Sequence, residues 1–235
     1  MGAVMLHQFH RVIGLGILIA VGIIARPAIA DDLATCKRES GDVAIVACTR
    51  YITSGQGAGR DLVAAYVNRG IEYKNKGDYV RAIADASEGI RTDPTAAMAY
   101  INRGSFYYEK GDYDRAITDA SEAIRIDPKI VMAFSNRAAA YNRKNDSGRA
   151  IADASEAIRL NPNIAQGAYA NRAFAFLSKG AYDNAIADAS EAIRLDPKMA
   201  AAFYTRGTAK RKKGDAVGGD GDIAKANAIQ PGIGQ

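Results

Sequence analysis

The sequence predicts an all-α chain, an α-solenoid of five helix-turn-helix repeats with an N-terminal disulfide-clasped helical hairpin, and three observations predict it. Pro94, Pro128, Pro162, Pro197 and Pro231 recur at an almost constant interval, spaced by 34, 34, 35 and 34, and such a period marks stacked supersecondary units. Between these prolines, apolar residues recur at helical spacing. Ala116, Ile117, Ala120, Ala123 and Ile124 fall at offsets of 0, 1, 4, 7 and 8, which is one stripe of a helix and not a strand. Ahead of the array, Cys36 and Cys48 stand on either side of Ser40-Gly41-Asp42. A two-helix unit cannot bury its apolar stripe alone, and stacked neighbours bury it together.

Residues 1–30 come first. Val12 to Ile24 is an uncharged apolar run, with Arg11 before it and Ala28 and Ala30 after it. A basic start, a short apolar core and small residues at Ala28 and Ala30 predict a secretory signal cut after Ala30. The run falls short of the about 20 residues that span a bilayer, and retention as an uncleaved anchor is the alternative. Leu33-Ala34-Thr35-Cys36 fits a lipoprotein signal poorly. The predicted location is periplasmic or secreted. Of 31 Lys and Arg and 26 Asp and Glu, the first 30 residues hold only Arg11 and Arg26, which leaves 29 against 26, or +3, beyond Ala30. So mild and mixed a charge does not favour a nucleic-acid surface. His7 and His10 also lie in the first 30 residues, and no tryptophan occurs anywhere. The remaining chain therefore excludes His-dependent triads, Cys-His dyads and His-ligated metal sites.

Residues 31–60 hold both cysteines. On one straight helix, positions as far apart as 36 and 48 are separated by about 18 Å, whereas a disulfide spans Cα atoms about 4.4 to 6.8 Å apart. Ser40-Gly41-Asp42 supplies the break, with Gly41 ending one helix in a left-handed conformation and Asp42 capping the next. An antiparallel hairpin then sets Cys36 against Cys48, and an oxidising compartment preserves the bond. Closing so short a loop contributes about 3 kcal/mol in the chain-entropy model. Two buried thiols are the alternative reading. Neither a Cys-x-x-Cys pair nor a third ligand supports a redox or metal role. Ser54 to Gly59 reads as a flexible connection, without the strand or Lys-Ser/Thr of a phosphate loop. Gly41-Asp42 with Ala44, Ile45 and Ile52 echoes the second helix of a repeat, so this segment is read as a cap on the array.

The units are 61–94, 95–128, 129–162, 163–197 and 198–231, with a tail at 232–235. In the second unit a first helix begins at Ala99 and runs to Lys110, Gly111-Asp112 stops it and caps the next, and Asp127-Pro128 ends that one. The extra residue of the fourth unit falls in Asn163 to Ala168 and lengthens a turn. With Tyr100, Gly104, Tyr107, Gly111-Asp112-Tyr113, Ala116, Ala123 and Pro128, the second unit resembles the tetratricopeptide repeat. The first matches it with Tyr66, Gly70, Tyr73, Gly77-Asp78-Tyr79, Ala82 and Pro94. The resemblance extends over all five units and implies a right-handed solenoid whose first helices line a concave groove. Three departures stand out. The third unit has Asn145-Asp146-Ser147, with looser packing expected at Ser147. The fourth has Gly180-Ala181-Tyr182. In the fifth, Gly218, Gly219 and Gly221 each weaken the second helix by about 1 kcal/mol relative to alanine, so a frayed or polar terminal cap is expected.

Asp85, Asp119, Asp153 and Asp188 recur at one register and Glu88, Glu122, Glu156 and Glu191 three further on. Acid-base work needs one pocket, so a pair copied four times reads as a solvated outward face, with Arg91, Arg125, Arg159 and Arg194 pairing the glutamates. Arg69, Arg103, Arg137, Arg172 and Arg206 form a second ladder, read as packing and inter-repeat hydrogen bonding. Gly218 to Asp222 lacks the ligand spacing of a calcium loop. No catalytic residue, metal or cofactor is expected.

The residues left for function are Asn68, Asn102, Asn136 and Asn171, one per unit, with Thr205 in the last. The resemblance places this register on the concave surface, where each Asn offers a donor and an acceptor to an extended peptide backbone. Val67, Ile71, Ile101, Tyr108, Ala139, Arg143, Phe174 and Leu177 share that surface. Inter-repeat bonding that serves curvature alone is the alternative role of the Asn ladder. The clamp with which co-chaperone repeats grip a chain end is disfavoured, since Val67, Ile71, Met132 and Asn136 stand where its Lys, Asn and Arg would be. The sequence thus reads as an exported, non-enzymatic scaffold binding a polypeptide in its groove. The alternative is a cell-envelope structural or assembly factor acting through its convex face or by self-association.

Overall fold

The computed structural model describes residues 25–234, with side chains from residue 30 onward. The apolar core of the predicted signal, Val12 to Ile24, lies outside the described residues. Ala28 and Ala30 fall within the first described helix. Six consecutive hairpins make up the described residues: α1 (Ala25–Arg38) with α2 (Gly41–Thr53), α3 (Gly59–Asn75) with α4 (Tyr79–Thr92), α5 (Ala97–Glu109) with α6 (Tyr113–Ile126), α7 (Val131–Arg143) with α8 (Ser147–Leu160), α9 (Gln166–Ser178) with α10 (Tyr182–Leu195), and α11 (Ala200–Lys212) with α12 (Ala216–Ile229). Each helix packs on the next in chain order, giving the all-α solenoid. The extra residue of the fourth unit is absorbed by a 3-10 turn, Pro162–Ile164.

Every repeat hairpin turns in the same way. One residue in the left-handed region follows the first helix: Gly77, Gly111, Gly180 and Gly214, and in the third unit Asn145 at φ 59°. Asparagine is one of the few side chains that visit this region readily, so the third unit keeps its turn without glycine. The next residue caps the second helix, with Asp78, Asp112, Asp146 and Asp215 accepting the N–H of Arg81, Arg115, Arg149 and Gly218 at 2.9–3.1 Å. Ala181 has no side chain to do this.

Within each hairpin the helices meet at small residues. A Cβ on Gly104 would lie 3.3 Å from the carbonyl oxygen of Ala116, so any larger side chain would force the pair apart. Beside this contact an arginine of the first helix grips an aspartate of the second. Arg69 with Asp85, Arg103 with Asp119, Arg137 with Asp153, Arg172 with Asp188 and Arg206 with Asp222 are joined through both Nε and Nη2 at 2.7–2.9 Å. Nη1 of the same arginine donates to a hydroxyl of the preceding second helix, from Thr49, Ser87, Ser121, Ser155 or Ser190, at 3.0–3.2 Å. The aspartates are only 3–8% exposed. This corrects the solvated-face reading of Asp85, Asp119, Asp153 and Asp188. They point inward to an arginine of the helix before their own, while Glu88, Glu122, Glu156 and Glu191 stay outside, paired with Arg91, Arg125, Arg159 and Arg194. Hydrogen bonding to the aspartates holds the guanidiniums of Arg69, Arg103, Arg137 and Arg172 above their usual pKa, against the opposing effect of burial.

The hairpin α1–α2 is a divergent repeat. Thr49 takes the register of Ser121, which places buried Ala47 where Asp119 stands in the second unit. No ion pair is available there, and the Cys36–Cys48 disulfide, with Cα atoms 4.8 Å apart, clamps the two helices instead. Gly41 has φ 64°, as expected, but Asp42 does not cap α2. Ser40 holds the cap position without a side-chain bond, and Asp42 pairs with Lys76 of the α3 C-terminus. Lys144 with Asp114 and Lys213 with Asp183 repeat that tie between neighbours. Gly41 N–H also donates to Glu72 Oε2 at 2.8 Å, seating the hairpin on α3.

At the other end α12 is a helix of 14 residues and not frayed. Two of its glycines have local reasons: a Cβ on Gly218 would overlap the capping carboxylate of Asp215, and nothing lies within 4 Å of one on Gly221. A Cβ on Gly219 would meet the Gly207 carbonyl oxygen at 2.7 Å and overlap Arg211 Cγ, so α11 and α12 approach more closely than α5 and α6. Asp222 is held from two sides: burial opposes its ionisation, yet bonds from Arg206 and Lys210 outweigh burial and lower its pKa.

Two outcomes follow for equilibrium urea unfolding. Ala181→Asp supplies the missing cap and stabilises the protein by about 1 kcal/mol; no gain would remove the cap from the account of the fourth unit. Asp153→Ala strands the Arg137 charge and costs about 3 kcal/mol, whereas Arg137→Met with Asp153→Leu costs distinctly less. Equal losses for the single and double variants would contradict the buried-pair argument.

Candidate functional site

Successive first helices, α3 on α5, α5 on α7, α7 on α9 and α9 on α11, pack on one another as well as on their second helices. First helices thus lie on the inside of the curve. Three clefts follow one another along them. A cleft of about 660 Å³ is walled by Val63, Val67, Ile71, Met98 and Ile130, with Asn68 and Asn102 among its polar residues. A narrower one of about 180 Å³ lies between Ile101, Tyr108, Ala133 and Asn136. The third, about 220 Å³, lies between α7, α9 and α11 and is lined by Tyr108, Asn142, Arg143, Asn171, Phe174 and Thr205. All seven residues predicted for the groove, Asn68, Asn102, Asn136, Asn171, Tyr108, Arg143 and Phe174, therefore line one face, distributed over three clefts.

The four asparagines are not equivalent there. Asn171 Nδ2 donates to the Ser135 carbonyl at 2.9 Å and ties α9 to α7. Asn102 Nδ2 donates to the Met98 carbonyl of its own helix at 2.7 Å. Thr205 is buried. The sequence reading passed over Met98 and Asn142, and named Met132 only in disfavouring the chain-end clamp. Met98 and Met132 are 46% and 49% exposed on the first helices, beside Phe174 at 44%. Asn142 is 7% exposed, and its Nδ2 donates to the Asn171 carbonyl at 2.8 Å. The signal for Asn142 was available, because it is the third unit's occupant of the register held by Tyr108 and Leu177.

Aromatic and basic groups set the electrostatics of the third cleft. Tyr108 meets Tyr113 edge to face, with centroids 5.5 Å apart. Arg143 Nε donates to the Tyr113 hydroxyl at 3.0 Å, with the guanidinium 5.5 Å from the ring centroid. Burial pushes the Tyr108 phenol up from its ordinary pKa, and Arg143 works against that shift. The bond to Tyr113, then the fields of Tyr108 and Tyr113, raise the pKa of Arg143. Among the described residues no three His, Cys, Asp or Glu side chains gather to hold a metal, and no helix is long and apolar enough to cross a membrane. The arrangement offers apolar walls, amides and one cation, which suit binding.

The family model of the tetratricopeptide repeat matches residues 67–129 and 167–199. Among solved structures, the chain is similar to YrrB, described as a TPR protein with an unusual peptide-binding site, with 23% identity over 81% of this chain and 95% of that one and a TM-score of 0.56. It is similar to MamA from Desulfovibrio magneticus RS-1, with 18% identity over 76% of this chain and 100% of that one and a TM-score of 0.59. PilW, described as a widely conserved type IV pilus biogenesis factor, shares 20% identity over 73% of this chain and 79% of that one, with a TM-score of 0.65. At these identities the likeness is one of fold. No curated protein matches the chain.

Since the Arg143 charge lowers a phenol that burial raises, Arg143→Gln moves the Tyr108 pKa further upward. Carbon-13 NMR of the tyrosine ring carbons across alkaline pH reads this directly, and a downward or absent shift would show that Arg143 does not act on Tyr108.

Proposed function

The chain is a tetratricopeptide-repeat protein, and we propose that it is an exported interaction scaffold that binds an extended polypeptide in its concave groove and has no catalytic activity of its own. The observation that carries this reading is the succession of three clefts along the first helices, with Met98 and Phe174 exposed in their linings and Met132 exposed on α7. Exposed methionines adapt to varied apolar partners at little conformational strain, and amides spaced along the same line suit an extended backbone. The outer helices present pairs that satisfy each other, such as Glu122 with Arg125, and so leave less for a partner to hold. The peptide-binding description of YrrB, a similar fold, supports the same assignment.

Export rests on the basic start, apolar run and small residues of 1–30. Cleavage after Ala30 would leave Asp31 and Asp32 in the first turn of a shortened α1, where the helix dipole favours acidic groups. Asp32 would still hold Arg50 and Cys36 would still hold Cys48.

One experiment tests both parts. A photo-crosslinking amino acid replaces Met132 in the groove or Thr118 on the exposed side of α6, and the adducts from cells are identified by mass spectrometry. The expected outcome is one polypeptide adduct from position 132 and none from 118, on a chain that begins at Asp31. An adduct from 118 alone would transfer the function to the convex face, and a chain retaining residues 1–30 would refute cleavage.

A further inference from the structure

Successive hairpins are joined by polar bonds that differ from seam to seam. The helix α3 is tied to α2 by Lys76 with Asp42, by the Gly41 N–H with Glu72 and by Arg69 with Thr49. The helix α7 is tied to α6 by Lys144 with Asp114, Arg143 with the Tyr113 hydroxyl and Arg137 with Ser121. Lys213 with Asp183 and Arg206 with Ser190 tie α11 to α10. In α8 Gly148 stands in the register of these aspartates, but α9 bonds to α7 through Asn171 and Asn142, and to α8 through Arg172 with Ser155. The seam between α4 and α5 has no such substitute. Val80, 70% exposed, occupies the aspartate register, and Lys110 forms no ion pair among the described residues. The bond from Arg103 Nη1 to Ser87 Oγ, at 3.2 Å, is the only hydrogen bond among the described residues that joins α3 and α4 to the chain from residue 97 onward.

Apolar packing across the same seam is uneven. Phe106, 1% exposed, lies against Ala82 and Ala86 of α4, at a register held elsewhere by Ala140, Ala175 and Ala209. At the other end of α4, Gly89 takes the register of Ala123, Ala157 and Ala192, whose methyl groups are fully buried. A Cβ on Gly89 would lie 3.7 Å from both Ala99 Cβ and Val63 Cγ1, an ordinary van der Waals distance. A methyl group therefore fits there, and the chain leaves it out. What holds the seam is burial around Phe106, which is non-directional, and a single hydrogen bond, while both ends of α4 lack the contact that their register makes in other repeats.

We infer that the seam between α4 and α5 is a hinge, and that residues 25–92 and 97–234 are two bodies that pivot on Phe106. A contact without fixed bond directions allows such rotation, whereas the ion pairs and amide bonds of the other seams oppose it. The cleft of about 660 Å³ straddles the hinge, with Val63, Val67 and Ile71 on one body and Met98 and Ile130 on the other. Pivoting therefore changes the width of this cleft and leaves the third, built wholly within residues 97–234, unchanged. The inference concerns the fold and stands whatever the groove binds.

The test is pulsed electron–electron double resonance on the purified protein, with nitroxide labels on introduced cysteines and the Cys36–Cys48 disulfide kept oxidised. One pair, Val46→Cys with Thr118→Cys, spans the α4–α5 seam. The other, Thr118→Cys with Ala187→Cys, spans the same number of hairpins without it, and all three positions are exposed at one register of the second helices. The expected result is a broader distance distribution for the first pair than for the second. Val80→Asp, which offers Lys110 a carboxylate, combined with Gly89→Ala, which supplies the missing methyl group, narrows the first distribution to the width of the second and leaves the second as it was. Gly89→Ala alone narrows it in part. Equal widths for the two pairs in the parent protein would overturn the hinge, whether both are broad or both are narrow. A broad first distribution that Val80→Asp and Gly89→Ala leave unchanged would overturn it too, because the motion would then lie at the α2–α3 seam.

Discussion

One guanidinium in each repeat hairpin holds three helices at once. It is anchored on a first helix, bonded bidentately to the aspartate of its own second helix, and bonded through its third nitrogen to a hydroxyl of the second helix before it. A planar fork with fixed donor directions is suited to this, and lysine, with a single point charge, is not. Since the arginine, aspartate and hydroxyl recur at constant register, the same geometry is imposed on all five repeat hairpins. Small residues at the adjacent crossing let the helices approach closely enough for the fork to reach, and the aspartate is shielded from water as a result.

This division of labour explains why the inner surface is free to differ from repeat to repeat. Stability is supplied by alanines, glycines and the buried ion pair between the helices, so inward-facing positions carry few structural duties. One such register reads Ile71, Ser105, Ala139, Phe174 and Thr208, and another Lys74, Tyr108, Asn142, Leu177 and Arg211. The first cleft accordingly sets Val63, Val67 and Ile71 beside Arg60, Asp93 and Asp127, whereas the third sets Tyr108 and Phe174 beside Arg143 and has no carboxylate in its lining. Asn171 is the exception, since its side chain bonds back to α7 and its carbonyl serves Asn142.

Much of the fold was legible because repetition amplifies weak signals. One Gly-Asp-Tyr is a turn, and its recurrence in step with the prolines defines an array. The inward direction of Asp85 and its equivalents was not legible, because the nearby Glu and Arg registers gave them a plausible surface role and their true partners sit on a different helix, across the turn. Gly219 misled for a related reason: propensity counts a glycine against a helix, but the close crossing of α11 and α12 at Gly207 is a tertiary fact. In the groove, register sets the asparagines on successive first helices. Which amide is committed within the protein depends on neighbours that only the folded chain brings together.

The absence of an ion pair from the core of the first hairpin bears on when the array is complete. Ala47 and the disulfide stand there in place of the aspartate and its arginine, so in the core α1 and α2 are clamped by a bond that solution reductants break, with Asp32–Arg50 as an ion pair outside it, whereas the later hairpins are clamped by buried charges that reductants leave untouched. In a thiol-rich environment the leading hairpin would be the least secured element of the solenoid, while the five units behind it kept their clamps.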